Sequence, residues 1–127
     1  MILADSSFLV AFFDETDNQH KRAVEDMKRI EEKNLDIMVS EHVLGETATV
    51  LLYHASLEAA KAFLDYAQEN FEIDPVDGEH RLATIKVFVN QDRQLSYIDA
   101  SVVFLATFLH LPVICYDETI LKAIKGG

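Results

Sequence analysis

Short apolar runs alternate along the chain with longer segments whose apolar residues recur at helical spacing. The apolar runs predict buried strands, and the stripes at three- and four-residue spacing predict helices. Strands are predicted at Met1–Ala4, Asp36–Val39, Phe71–Ile73 and Pro112–Tyr116. Helices are predicted at Phe8–Phe13, Gln19–Lys33, Glu41–His54, Leu57–Asn70, Glu79–Asn90, Tyr97–Leu109 and Thr119–Lys125. Because apolar strands alternate with helices, we expect an α/β fold with a mostly parallel sheet covered on both faces.

Length and composition indicate a single globular unit. A chain of 127 residues corresponds to one domain, residues 1–127, and the sequence shows neither an internal repeat nor a linker. Hydrophobic residues make up 50% and charged residues 26%, which excludes a disordered chain. The single cysteine, Cys115, excludes an intramolecular disulfide framework and a thiolate-rich zinc site. No apolar run has the length of a membrane span, and the N-terminus lacks a signal-peptide pattern. We therefore expect a cytoplasmic protein with no membrane contact.

Acidic residues outnumber basic ones by 22 to 11, giving a formal net charge of -11. The excess is spread over both halves of the chain, as expected of a solvated surface, and it argues against a broad phosphate-binding face. The one basic cluster lies on the second predicted helix, and we interpret it either as a solvated face or as an RNA clamp; it comprises Lys21, Arg22, Lys28 and Arg29. Arg22 and Asp26 stand four residues apart, a spacing that predicts an ion pair.

Four acids occur in apolar surroundings. Asp5 and Asp117 each directly follow a predicted strand, where ligands bind in open parallel sheets. Glu46 and Asp99 lie near the core-facing stripes of their helices. Buried carboxylates are costly unless they are paired or bound to metal, and few cations lie near them in the sequence. Hard oxygen ligands suit Mg²⁺ or Mn²⁺, so the pattern favours a shared divalent-metal site.

Each acid also has a purely structural interpretation. Ser96 and Asp99 match a helix capping box, with Asp in place of the usual Glu. Asp5 and Asp117 each precede a helix and are placed to begin a turn, and Glu46 lies near enough to the edge of its stripe to reach water. Ser6 or Ser7 is expected to cap the first helix. The serines at positions 6, 7 and 96 are candidates either for helix caps or for hydrogen-bond donors to the carboxylates. Arg93 is either a candidate for a phosphate contact or an ordinary exposed side chain.

Taken together, these segments resemble the PIN-domain family of metal-dependent ribonucleases, especially the small VapC-like proteins. The resemblance rests on five segments: Met1–Ser7, Phe12–Ala23, Val39–Glu46, Leu95–Ala100 and Pro112–Asp117. They correspond to the opening strand with its first acid, the end of the first helix, and the entries to the second, third and fourth acids. The family often has Thr before the last acid and an aromatic residue after it, whereas here Tyr116 and Ile120 occupy that region.

The resemblance implies a three-layer fold and endonucleolytic cleavage of RNA. Asp5, Glu46, Asp99 and Asp117 would form the catalytic and metal-binding site for Mg²⁺ or Mn²⁺. It further implies an RNA substrate, a possible antitoxin protein as partner, a toxin role and a homodimer.

Three other classes compete with this interpretation. The first is a catalytically weak PIN-like module that binds RNA or protein, which the acidic composition favours. The second is a receiver-type phospho-acceptor domain, which needs an acidic pair after the first strand and a Lys at the end of the last; neither is present. The third is an aspartate-nucleophile phosphohydrolase, which needs a second Asp where Ser7 stands.

Overall fold

Four short strands form one parallel sheet in the computed structural model, which describes residues 1–126. The strands are β1 (Ile2–Ala4), β2 (Ile37–Ser40), β3 (Phe71–Asp74) and β4 (Val113–Ile114), in the spatial order β3-β2-β1-β4. Leu3 pairs with Met38 of β2 on one side and with Val113 of β4 on the other. The inner strands are the more buried ones, as expected when helices cover both faces of a sheet. The predicted α/β fold with a parallel central sheet is confirmed.

Seven helices connect and flank these strands within the described residues. They are α1 (Ser6–Phe13), α2 (His20–Glu32), α3 (Glu41–His54), α4 (Leu57–Asn70), α5 (Gly78–Val89), α6 (Tyr97–Leu109) and α7 (Glu118–Lys125). Side-chain caps begin most of them, since a polar oxygen at the N-cap accepts a hydrogen bond from an otherwise unpaired N–H group. Ser40 caps α3 by accepting from Val43, and Asp77 caps α5 by accepting from His80. Among residues 1–126, no helix is both long and apolar enough to cross a bilayer.

The structure corrects two details of the sequence prediction. Asp5, rather than Ser6 or Ser7, caps the first helix, so α1 begins at Ser6 instead of Phe8. The last strand is only two residues long, and Asp117 therefore comes three residues after it rather than directly after it. The pairing of β4 ends early because the neighbouring chain passes from β1 into α1. The last bond of the pair runs from the Asp5 N–H to Ile114 O, and beyond it the N–H groups of Tyr116 and Asp117 donate to side chains.

The hydrophobic core lies between the sheet and the helices. Its largest fully buried side chains are apolar residues of the inner strands and of the packed helix faces: Leu3, Phe8, Leu9, Val39, Val43, Leu51, Phe63 and Ile120. This packing fixes α1 and α3 over the carboxyl ends of β1 and β2, which is where the first two candidate acids lie. The prediction of one domain over residues 1–127 stays a prediction, and Gly127 lies outside the described residues.

Candidate active site

Asp5 lies at the carboxyl end of the central strand β1 and is 2% exposed. Its Oδ2 atom accepts hydrogen bonds from Ser7 N (3.2 Å), Ser7 Oγ (2.8 Å) and Cys115 Sγ (3.5 Å). Its other oxygen, Oδ1, is buried and has no hydrogen-bond partner. A buried polar atom without a hydrogen-bond partner is costly, and Oδ1 is such an unsatisfied acceptor at the carboxyl end of β1.

Glu46 approaches Asp5 from α3. The helix begins at Ser40, the last residue of β2, so the strand next to β1 delivers Glu46 to the same end of the sheet. Glu46 is half-buried, and its Oε1 atom accepts a 2.6 Å hydrogen bond from the Ser6 hydroxyl. The serines after Asp5 therefore support two of the acids, one each.

Asp99 and Asp117 both lie at helix beginnings. Asp99 Oδ2 accepts from Ser96 N (3.1 Å) while Asp99 N donates to Ser96 Oγ (3.0 Å), which is the predicted capping box. Asp117 Oδ1 accepts from Thr119 N (2.8 Å) and Ile120 N (3.2 Å), and so caps α7. Both acids therefore have the structural role that the sequence allowed. That role uses only one oxygen of each.

The four carboxylates interact electrostatically. Burial raises the pKa of Glu46 above its ordinary value; the Ser6 hydrogen bond partly opposes this, and the charges of Asp5 and Asp99 add to it. Burial likewise raises the pKa of Asp99, the hydrogen bonds from Ser96 oppose the rise, and the charges of Asp5 and Asp117 reinforce it. These interactions link Asp5, Glu46 and Asp99 with one another, and they link Asp117 with Asp99.

The donor set fits a hard divalent cation. Asp5, Glu46, Asp99 and Asp117 each commit a single oxygen to protein donors, and the unpartnered Oδ1 of Asp5 lies buried among like charges. Within the described part of the chain, no group of three or more His, Cys, Asp or Glu side chains is placed to hold a metal ion. Mg²⁺ does not need one, since it retains several waters and takes one or two protein carboxylates.

An open cleft of about 380 Å³ adjoins the cluster. Its wall includes Ser6, Ser7 and Glu46 from the site, and residues from α1, the turn before α2, α3 and the last segment: Val10, Asp17, Gln19, Val50 and Tyr116. Of the four acids, only Glu46 is part of this wall, so the cleft reaches the site from the side of α3.

Two neighbours of the site were not identified from the sequence. The Cys115 thiol donates to Asp5 Oδ2 and accepts a hydrogen bond from the Asp117 N–H at 3.3 Å. Burial, and after it the Asp5 charge, raises the pKa of this thiol to about 12. The Tyr116 hydroxyl donates to Asp26 Oδ2 at 2.6 Å, and burial and this bond raise the pKa of the phenol. The position of Cys115 two residues before Asp117 was the only signal available for it.

Arg93 does not lie at the carboxylate cluster. Its guanidinium lies beside Gly126 at the end of α7, and Nη1 is 4.0 Å from the neighbouring Asp92. Of its two sequence interpretations, the structure favours the ordinary exposed side chain.

Comparison with known proteins gives one family and several solved structures. The sequence model of the PIN domain matches residues 2–126. VapC20 of Mycobacterium tuberculosis, described as a toxin that cleaves the sarcin–ricin loop, superposes with a TM-score of 0.85 at 24% identity over 97% of this chain and 95% of that one. No curated protein matches by sequence.

Two further solved structures are similar to this chain over nearly its whole length. VapBC2 of Rickettsia felis, bound to a DNA fragment of its promoter, has a TM-score of 0.73 at 14% identity, covering 96% of this chain and 92% of that one. FitAcB of Neisseria gonorrhoeae has a TM-score of 0.68 at 15% identity, covering 98% and 94%. At these identities the likeness shows the fold.

Proposed function

Because the chain belongs to the PIN domain family, we propose that it is a metal-dependent endoribonuclease of the VapC type. The observation that carries the proposal is the buried oxygen of Asp5 that has no partner, in an acid that interacts with Glu46 and Asp99, while Asp99 also interacts with Asp117. Asp5, Glu46, Asp99 and Asp117 would be the catalytic and metal-binding residues. Mg²⁺ or Mn²⁺ is the cation that their hard oxygen ligands suit.

The side chains prepare the site for phosphodiester hydrolysis. When bound, a divalent cation polarises the phosphate and lowers the pKa of an attacking water. Asp5 and Glu46 offer oxygens from the sheet side, and the Ser7 and Ser6 hydroxyls hold these carboxylates in place. Asp99 and Asp117 offer oxygens from the first turns of α6 and α7. The open cleft beside them admits a single-stranded or looped RNA.

The proposal is tested by incubating a labelled mixed-sequence RNA pool with Mg²⁺, Mn²⁺ or EDTA. We expect cleavage in the presence of either metal, none in EDTA, and none by Asp5→Asn or Glu46→Gln. Asp77→Asn is the matched control, because Asp77 is also a helix-capping acid but lies on α5, outside the cluster. Absence of cleavage by the wild-type protein under all conditions would contradict the proposal.

A toxin role and an antitoxin partner belong to the same proposal. Two similar structures are named as VapBC2 and FitAcB, and a third is described as a toxin. Because the proposed substrate is cellular RNA, we also propose that the protein acts in the cytoplasm.

The toxin role is tested by induced expression in a bacterial host. Expression of the wild-type protein should arrest growth, and expression of Asp99→Asn should leave growth normal.

We also propose a homodimer. Helix α5 presents an apolar stripe to solvent, with Leu82 64%, Ile85 42%, Phe88 41% and Val89 70% exposed. A contiguous exposed apolar surface of this kind marks an interaction site. Sedimentation equilibrium should give twice the chain mass for wild type and a monomer for Leu82→Glu; a monomeric wild type would contradict this part.

A PIN-like module that binds without cleaving is the second candidate function. The net charge of -11 favours it, because repulsion of the RNA polyanion opposes efficient cleavage of RNA and leaves room for a protein partner. Metal binding and RNA binding without any cleavage would support this module and exclude the nuclease.

A further inference from the structure

Arg22 lies over the ring of Tyr116, a residue that lines the proposed active-site cleft. Its guanidinium carbon is 4.1 Å from the ring centroid of Tyr116, a cation–π contact that joins α2 to the segment between β4 and α7. Arg22 is exposed, and Tyr116 is half-buried. A cation–π contact with a partly buried ring restricts the guanidinium without using its N–H donors, which stay available to another partner.

Tyr116 brings this contact to the edge of the cleft. Its ring helps to line the space that contains Ser6 and Glu46, and its N–H donates to Ser7 Oγ at 2.9 Å. Ser7 Oγ in turn donates to Asp5 Oδ2 at 2.8 Å. A short chain of contacts therefore connects Arg22 to the first acid of the site, with Tyr116 as the middle member.

Arg22 is left without a direct ion pair among residues 1–126. The ion pair with Asp26 that the sequence predicts does not form, because Asp26 uses Oδ1 for Arg29 and Oδ2 for the Tyr116 hydroxyl. No acid in residues 1–126 forms an ion pair with Arg22. All the guanidinium donors therefore remain available, next to Tyr116 at a cleft whose charged lining residues, Asp17 and Glu46, are both acidic.

We infer that Arg22 is a substrate-binding residue that contacts a phosphate group of the RNA at the mouth of the cleft. The inference rests on the proposed function, since it assigns to that site its contact with the polyanion. A planar guanidinium donates two parallel hydrogen bonds to a phosphate, which gives orientation as well as attraction. In a chain with a net charge of -11, a cation fixed in this position offsets repulsion where the substrate must enter.

The test measures RNA affinity and its salt dependence in the presence of Mg²⁺. Each variant carries Asp99→Asn to prevent cleavage, and the probe is a labelled mixed-sequence single-stranded RNA titrated at several KCl concentrations. Arg22→Ala should weaken binding about tenfold, the usual loss for a charged hydrogen-bond pair. It should also reduce the slope of log affinity against log salt by about 0.7, the value for one phosphate contact on a single strand.

Three variants serve as controls. Lys28→Ala removes an equal charge from α2, but Lys28 lies two residues from Asp26 and therefore on another side of the helix. For this variant we expect RNA affinity to change by less than about twofold and the salt slope to stay the same. Arg22→Lys should keep the slope and lose several-fold in affinity, because Lys lacks the planar fork. Tyr116→Leu should resemble Arg22→Ala, since it removes the ring that holds the guanidinium.

The outcomes separate this inference from the function on which it rests. Equal effects of Arg22→Ala and Lys28→Ala would overturn the inference, even if the wild-type protein cleaves RNA. A loss of affinity and slope specific to Arg22→Ala would support it, even if the wild-type protein cleaves nothing and the nuclease proposal fails. A chain with an intact Asp99 adds a kinetic check: Arg22→Ala should raise KM more than it lowers kcat, and an unchanged KM would overturn the inference.

Discussion

The substitution Asp99→Asn separates the two roles that the structure gives this carboxyl group. Asp99 Oδ2 accepts a 3.1 Å hydrogen bond from Ser96 N at the start of α6. Its pKa is raised first by burial and then by the charges of Asp5 and Asp117. An amide retains an oxygen for the Ser96 N–H but carries no charge. We therefore expect the variant to lose RNA cleavage while the metal-free protein remains as stable as wild type, or more so.

The expected magnitude follows from two opposing contributions. The hydrogen bond to Ser96 N contributes about 0.5–1.5 kcal/mol, and Asp99→Asn keeps it whereas Asp99→Ala removes it. Loss of the charge relieves the cost of holding a carboxylate among like charges. Because Asp99 is half-exposed, solvent screening limits that relief. We expect Asp99→Asn to raise the free energy of unfolding in EDTA by about 0–1 kcal/mol, and Asp99→Ala to lie about 1 kcal/mol below it.

Urea unfolding at neutral pH, in EDTA and in Mg²⁺, measures both contributions. A cation at about 100 times its dissociation constant stabilises a protein by about 2.7 kcal/mol, and we expect a clearly smaller gain for Asp99→Asn than for wild type. Asp77→Asn is the control, since it changes a capping acid of α5 and should respond to Mg²⁺ as wild type does. A loss above about 1 kcal/mol in EDTA, or equal stabilisation of Asp99→Asn and wild type by Mg²⁺, would refute the metal-site role and leave only the cap.

Three further predictions concern titrating and buried groups of the protein. Burial raises the pKa values of Glu46 and Asp99, so in EDTA these two groups favour the folded wild-type protein most below the ordinary carboxyl pKa, and this contribution is lost as pH rises through the raised values. The free energy of unfolding of the Glu46→Gln/Asp99→Asn double variant should therefore increase relative to wild type from about pH 4 to pH 7. The same difference between the two proteins at every pH would contradict this prediction. Burial raises the pKa of Cys115 to about 12, so the native thiol should not react with Ellman's reagent at about pH 8 until the chain is unfolded in urea. Rapid labelling of the native protein would contradict this, because it would show that the thiol is accessible. Ser101→Ala removes the 2.7 Å partner of the buried His80 Nε2 and should cost about 1–3 kcal/mol in urea unfolding, whereas a loss below about 0.5 kcal/mol would mean that water replaces the hydroxyl.

The sequence was most informative where local pattern and burial agree. Strand β1 and helix α4 could be predicted because an apolar run, or an apolar stripe at helical spacing, is visible within a few residues. The end of β4 could not, because it depends on where the neighbouring strand turns into a helix. Local spacing also predicted an ion pair between Arg22 and Asp26, which competition from Tyr116 prevents. Tyr116 lies 90 positions from Asp26, so no local pattern indicates that contact.

The candidate site could be predicted in part for the same reason. Asp5 and Asp117 were recognisable by their positions at predicted strand ends, and Glu46 and Asp99 by their places near the core-facing stripes of their helices. The proposal that they converge depends on the parallel order of β2, β1 and β4, which the alternation of strands and helices already favoured. The buried Cys115 thiol beside Asp5 was not recognisable, since a lone cysteine in an apolar strand has the same local pattern whether or not it approaches a carboxylate.

Capping and metal binding, which the sequence presented as alternatives for these acids, are compatible because a carboxylate has two oxygens. Asp5, Asp99 and Asp117 each place one oxygen on N–H groups at a helix beginning, where the helix dipole stabilises negative charge. This arrangement compensates for the scarcity of cations around the cluster and gives the acids a reason to hold their positions in metal-free protein. It leaves the second oxygen of each free for a cation. The metal should then add to the stability of a site that the caps already organise, which is why Mg²⁺ is expected to change the unfolding free energy without being required for folding.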